Sequence, residues 1–147
     1  MSSRAIEFGL AGGYVDITTG GSCAVGTPAH GVKSVLEAGV AADHITMSSD
    51  GHGSVPRFND KGEMIGLGVG GVACNLKEVK RLIGELGVPM TTALSVITSN
   101  VGKGVVKAGN CADLNLFDEN MNLVHVFAKG RQMMKDGEII VKGTFEE

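Results

Sequence analysis

A carboxylate at the end of a β-prone run, followed by alternating glycines and then a hydroxyl, is one way to build a proton-transfer site. The stretch Ser48-Ser49-Asp50-Gly51-His52-Gly53-Ser54 has that pattern. Asp50 could take or give a proton at a reacting group. Gly51 and Gly53 would let the backbone turn away and approach a ligand closely. Ser54 adds a hydroxyl one short loop further on. The same letters also spell an ordinary turn, because Asp and Gly favour turns for conformational reasons alone. Pattern leaves both readings open.

The other chemistry-bearing residues are scattered. His30, His44, His52 and His125 stand alone, with no His-x-His pair anywhere. Each reads as a surface or packing residue rather than a metal ligand; His52 is the exception to watch, because it lies inside the Asp50 loop. Cys23, Cys74 and Cys111 are odd in number and form no Cys-x-x-Cys pair, which excludes a zinc ribbon and a redox motif. They read as small buried hydrophobes. Gly66, Gly68, Gly70 and Gly71 suggest a phosphate loop at first sight. No Lys-Ser/Thr follows, however, and no Gly-x-Gly-x-x-Gly register opens a helix. These glycines read instead as a connector passing close to other backbone.

The elements that must position Asp50 follow from periodicity. Arg4 to Ala11 reads as a short helix stopped by Gly12-Gly13. Tyr14 to Thr18 reads as a strand, and Thr19 to Pro28 as a Gly/Ser/Thr-rich loop. His30 to Ala38 is a helix with Val32, Val35 and Leu36 on one face. His44 to Met47 is an apolar strand of the buried kind, ending just before Asp50. Helix, strand, helix, strand implies parallel strands joined by right-handed crossovers. In such folds the carboxyl ends of strands carry the sites.

Ser49 to Gly62 reads as one long loop. Asn75 to Leu86 is the clearest helix, with Asn75 as N-cap, Glu78 completing a capping box, and Leu76, Val79, Leu82, Ile83 and Leu86 as its apolar stripe. Gly87 and Pro89 end it. Thr91 then caps a second short helix from Thr92 to about Thr98. Beyond Gly104 the β-prone runs Val105-Val106, Ala112 to Phe117, Leu123 to Ala128, Gln132 to Met134 and Ile139 to Val141 alternate with turn chemistry at Asp118-Glu119-Asn120, Lys129-Gly130 and Asp136-Gly137. That is a separate antiparallel layer. The expected domains are therefore 1–102 and 103–147.

At 147 residues, with 43% hydrophobic residues, the chain has enough material for a real core. Twenty-three glycines, against a usual share of about 7%, suit a protein of many turns and loop-built sites. A net charge of −3 with no basic stripe argues against nucleic acid as a partner. No apolar run approaches the roughly 20 residues that span a bilayer. No leader is expected at Met1, and with the unpaired cysteines a reducing cytoplasm is the expected location.

The block Ser48-Ser49-Asp50-Gly51-x-Gly53-Ser54-x-Pro56-x-Phe58, with Asn59-Asp60-x-Gly62 behind it, resembles the segment after the eighth barrel strand of isoaspartyl dipeptidases, of the amidohydrolase superfamily. The tail Lys142-Gly143-Thr144-Phe145-Glu146 is similar to that family's C-terminus. Gly109-x-x-Ala112-Asp113-Leu114 resembles a signature shared across the superfamily. The likeness runs from about Ile6 onward. It implies an α/β fold: the last two βα units of a metal-dependent hydrolase TIM barrel, followed by strands of a small β-sandwich domain. Tyr14–Thr18 would be the seventh barrel strand and His44–Met47 the eighth.

By the same resemblance, Asp50 would ligate one metal of a binuclear Zn2+ centre and act as general base and acid. Ser54 would contact the dipeptide, and Gly51 and Gly53 would aim the loop. The remaining ligands of the family, an His-x-His pair, a carbamylated lysine and two further histidines, have no counterpart here. The chain thus reads as a C-terminal portion alone. Two departures from the family stand out: the stretch Asn100 to Gly104 is short, and Cys111 replaces an aspartate. The expected activity is hydrolysis of β-aspartyl dipeptides by a longer enzyme, as a homo-oligomer or paired with the missing part. The alternatives are an inactive amidohydrolase fragment and an amidohydrolase acting on cyclic amides.

Overall fold

The computed structural model describes residues 2–20, 26–102 and 105–142. Cys23 and most of the quoted tail, Gly143 to Glu146, lie outside the described residues, as does Gly104. The chain divides into two compact units, Met1–Lys103 and Gly104–Glu147. It is a mixed α/β fold, with three small sheets among the described residues.

The first unit begins with α1, Ser3–Leu10, whose N-cap Ser2 accepts a hydrogen bond from the Ala5 N–H. Gly12 follows with φ 91°, the left-handed residue that lets the chain leave a helix. Strand β1, Val15–Thr18, then α2, Pro28–Glu37, a 3₁₀ turn over Ala42–His44, and β2, Ile45–Ser48, complete the expected order. Pro28 sits in the first turn of α2, where its missing N–H costs nothing. The two strands pair in parallel, Val15 opposite Ile45 and Thr18 opposite Ser48.

Val15, Ile17, Ile45 and Met47 point to the buried side of this pair. They share the core with Ala29, Val32 and Val35 of α2. Strand β2 is therefore half-buried with period two, not the uniformly buried run expected: Thr46 and Ser48 face away from the core.

Two larger corrections follow. Where a loop over Ser49 to Gly62 and a glycine connector over Gly66 to Gly71 were expected, the chain forms an antiparallel hairpin. Its strands are β3, Ser54–Phe58, and β4, Met64–Val69. Glycines weaken strand propensity because they bring no side chain to pack. A backbone ladder does not need side chains, and the hairpin pairing overrides the weak local preference.

Helix α3 spans Ala73–Gly84, and its N-cap position is Val72, which makes no side-chain cap. Asn75 is inside the first turn, where its side chain is taken by Thr19, and Glu78 is buried instead of closing a capping box. Long-range partners outbid the local cap. Helix α4, Met90–Ser95, starts directly after Pro89, so Thr91 is within it and not before it. A 3₁₀ turn over Ser99–Val101 follows.

The second unit is one antiparallel sheet in the order β5, Leu114–Phe117; β6, Leu123–Ala128; β7, Arg131–Lys135; and β8, Glu138–Ile139. Lys129 and Gly130 have φ 51° and 78°, and Asp136 and Gly137 have 50° and 82°. These are two-residue hairpin loops with both central residues left-handed, the geometry that matches strand twist. Val105-Val106 is not a strand. Among the described residues no strand pairs with it, and Val106 is 86% exposed.

Candidate functional site

Strands β1 and β2 end side by side, and both chain exits are drawn tightly together. The Thr19 N–H donates to the Ser48 carbonyl at 2.7 Å, extending the ladder one step. Gly20 then passes so close to β2 that a Cβ there would lie 2.8 Å from the Ser49 carbonyl oxygen. The Thr19 hydroxyl, 8% exposed as a residue, donates to Asn75 Oδ1 at 2.5 Å and lies 3.0 Å from Cys74 Sγ. The Cys74 thiol donates in turn to the Gly71 carbonyl at 2.8 Å. A polar knot thus ties the end of β1 to the first turn of α3.

Asp50 is two residues beyond the end of β2, exposed, with φ 49°. Aspartate is among the few non-glycine residues that tolerate that region. Its carbonyl accepts the Gly53 N–H at 2.9 Å, closing a turn in which His52 has φ 65°. The Asp50 carboxylate folds over Gly53: a Cβ at 53 would stand 2.9 Å from Oδ1 and 2.9 Å from the Asp50 carbonyl oxygen. A Cβ at Gly51 would stand 2.7 Å from Val72 Cγ1. Both glycines therefore serve close approach of the chain to itself.

Ser54 opens β3 and is exposed. Side chains alternate across a strand, so Ser54 and Pro56 lie on one face of the hairpin and Val55 and Arg57 on the other. The second face borders a cleft of about 310 Å3, lined among others by Thr19, Val55, Arg57, Gly68, Gly70 and Cys74. Neither Asp50 nor Ser54 lines it. Arg57 and Thr19 are the site residues that sequence reasoning missed. The period-two spacing of Gly66, Gly68 and Gly70 was the available signal, since it puts every one of them on the face Arg57 shares.

The remaining candidates do not converge. His52 is exposed, and His44 stacks on Tyr14 with ring centroids 4.6 Å apart. Cys111 is exposed and Cys74 half-buried, so neither is the buried hydrophobe expected. Asp16 instead accepts from Thr46 Oγ1 at 2.6 Å and Ser48 Oγ at 2.5 Å, on the exposed face of the parallel pair. Among the described residues no three His, Cys, Asp or Glu side chains gather as a metal site. Asp50 could offer one donor, but the donor set of a zinc centre does not fit these residues. No described helix is long and apolar enough to cross a membrane.

Comparison with known proteins sets this geometry in context. No protein-family model matches the chain. A β-aspartyl dipeptidase of Fervidobacterium islandicum AW-1, solved in complex with a β-Asp-Leu dipeptide, superposes with a TM-score of 0.78 at 32% identity, over 96% of this chain.

This chain matches part of a β-aspartyl dipeptidase.

It spans 39% of that protein's length. A second structure of a β-aspartyl dipeptidase from the same organism gives a TM-score of 0.75 at 28% identity, over 96% of this chain and 36% of the other. An N-acetylglucosamine-6-phosphate deacetylase of Pasteurella multocida gives 0.60 at 15% identity, over 83% and 37%, which is a likeness of fold. The resemblance to isoaspartyl dipeptidases read from the Asp50 block is met, and the mixed α/β fold is similar to amidohydrolase-family proteins.

Proposed function

We propose that this chain is part of an amidohydrolase that cleaves β-aspartyl dipeptides, with Asp50 as its catalytic carboxylate and Ser54 as a substrate contact. On this reading residues 1–102 are the last two βα units of a (β/α)8 barrel, and residues 103–147 belong to a small β-sandwich. The observation that carries it is the 32% identity over 96% of the chain with a β-aspartyl dipeptidase. The parallel pairing of β1 and β2, with Asp50 just past their carboxyl ends, supports it. Barrel enzymes build their sites at that end.

The chemistry asked of Asp50 is proton transfer. Its carboxylate would take a proton from the water attacking the amide and return it to the leaving amine. Gly51 and Gly53 hold the turn that carries it. Asp50 could supply one donor to a zinc centre, whose other donors would have to come from outside the described residues. The zinc centre, the pairing with the rest of a barrel or with further copies, and a cytoplasmic location belong to the same proposal.

A second reading, that the chain alone is inactive, is favoured by the absence of a ligand cluster among the described residues. One assay addresses both. Hydrolysis of β-Asp-Leu is measured for the 147-residue chain and for the protein made from its native genomic context, each as wild type and Asp50→Ala. Turnover confined to the native-context protein and lost in Asp50→Ala, with metal content unchanged, is the expected result. Turnover surviving Asp50→Ala removes that residue's role. Turnover by the 147-residue chain alone removes the second reading.

A further inference from the structure

The cleft beside the hairpin holds a guanidinium with no partner. The Arg57 side chain makes no ion pair or hydrogen bond among the described residues; it is exposed and lines the cleft. Its position depends on Gly68. A methyl group at 68 would stand 2.6 Å from Arg57 Nε and 3.1 Å from Nη2, so the guanidinium rests on the bare backbone of β4. Val55 on the same face lines the cleft as well, as do Thr19 and Cys74. The volume, about 310 Å3, lies at the small end of ligand sites, which run from about 300 to 1,000 Å3.

An unpaired guanidinium presents a planar fork of N–H donors that matches a carboxylate in two parallel hydrogen bonds. Val55 and Val69 line the same cleft with apolar surface that an aliphatic group could cover. We propose that this cleft binds the carboxylate of a small aliphatic acid, with Arg57 as the anchor and Gly68 as the residue that positions it. The cleft is separate from the dipeptidase reading of the preceding subsection, because neither Asp50 nor Ser54 lines it.

The test titrates the 147-residue chain with N-acetyl-leucine and, in parallel, with N-acetyl-leucinamide. It follows the Arg57 Nε–H and the Gly68 and Gly70 amides by nuclear magnetic resonance. The carboxylate should give saturable shifts, the neutral amide none. Arg57→Gln should weaken the carboxylate about tenfold or more, as expected for loss of a charge-assisted bond. Gly68→Ala keeps the charge but pushes the flexible end of Arg57 aside, and should weaken binding while the chain stays folded. Arg57→Lys should recover only part of the loss, because an ammonium has no fork.

Equal shifts with the amide, or unchanged binding in Arg57→Gln, overturn the proposal. Carboxylate binding that persists when β-Asp-Leu is not cleaved by the native-context protein leaves the cleft standing and removes the dipeptidase reading.

Discussion

Glu78 of α3 accepts a hydrogen bond from the backbone N–H of Ala29, 49 residues earlier at the start of α2, at 3.0 Å. The same carboxylate holds Arg81 Nη1 at 2.7 Å, and its side chain is only 5% exposed. Four N–H groups at a helix start lack partners within the helix. A carboxylate there satisfies one of them and suits the positive end of the helix dipole. Helix α3 therefore caps α2, and the two are locked through one buried acid.

Removing that acid leaves the Ala29 N–H without its partner and Arg81 with only the exposed Glu85, at 3.6 Å. Glu78→Ala should destabilise the first unit by about 2–4 kcal/mol. Urea unfolding should show a lower midpoint at unchanged slope. An unaltered midpoint would mean that the bond does not hold the helices.

Asn100 plays a comparable part at the other end of β2. Its Nδ2 donates to the carbonyls of Ala42 at 2.6 Å and Ile45 at 2.8 Å. Asn100→Ala should cost about 1–2 kcal/mol by removing a donor from both carbonyls, of which that of Ala42 keeps the Ile45 N–H. Asn100→Asp should cost more, since it sets a negative oxygen against both. The reverse ranking in thermal melts would contradict the assigned orientation of the amide.

Gly53 is the tightest point of the Asp50 turn. A Cβ there would press on backbone, the Asp50 carbonyl oxygen at 2.9 Å, and not only on a side chain that can move. Gly53→Ala should therefore open the turn and speed hydrogen exchange at His52 and Gly70, whose N–H groups bond across it. Protection unchanged at both amides would show that the turn adapts.

The hairpin loops of the second unit invite a stabilising change. Lys129 has φ 51° with a β-carbon, a conformation that asparagine adopts more readily. Lys129→Asn should raise stability by a few tenths to about 1 kcal/mol. Gly137→Ala, at φ 82°, should lower it by about 1 kcal/mol or more. Melting temperatures of the two variants moving in the same direction would count against this turn geometry.

Much of the fold could be read from local signals, because those signals are themselves local physics. Pro28 and Gly12 mark helix boundaries, and Lys129-Gly130 and Asp136-Gly137 mark tight turns, because each residue type restricts or frees its own φ. The alternation Val15-Asp16-Ile17-Thr18 shows which side of β1 meets the core. The Asp50 block was legible as a resemblance, and the comparison with a β-aspartyl dipeptidase agrees with it.

Tertiary structure alone decided the rest. Gly66 to Gly71 looked like a connector because glycine carries no strand preference. It became a strand only when β3 supplied a ladder to pair with. Asn75 and Glu78 had the spacing of a local cap, yet Thr19 and Ala29, both distant in sequence, claimed their side chains. Arg57 had no motif to announce it. Its position comes from a hairpin whose facing glycines leave room for a guanidinium, and sequence periodicity cannot express a contact between two strands until their register is set.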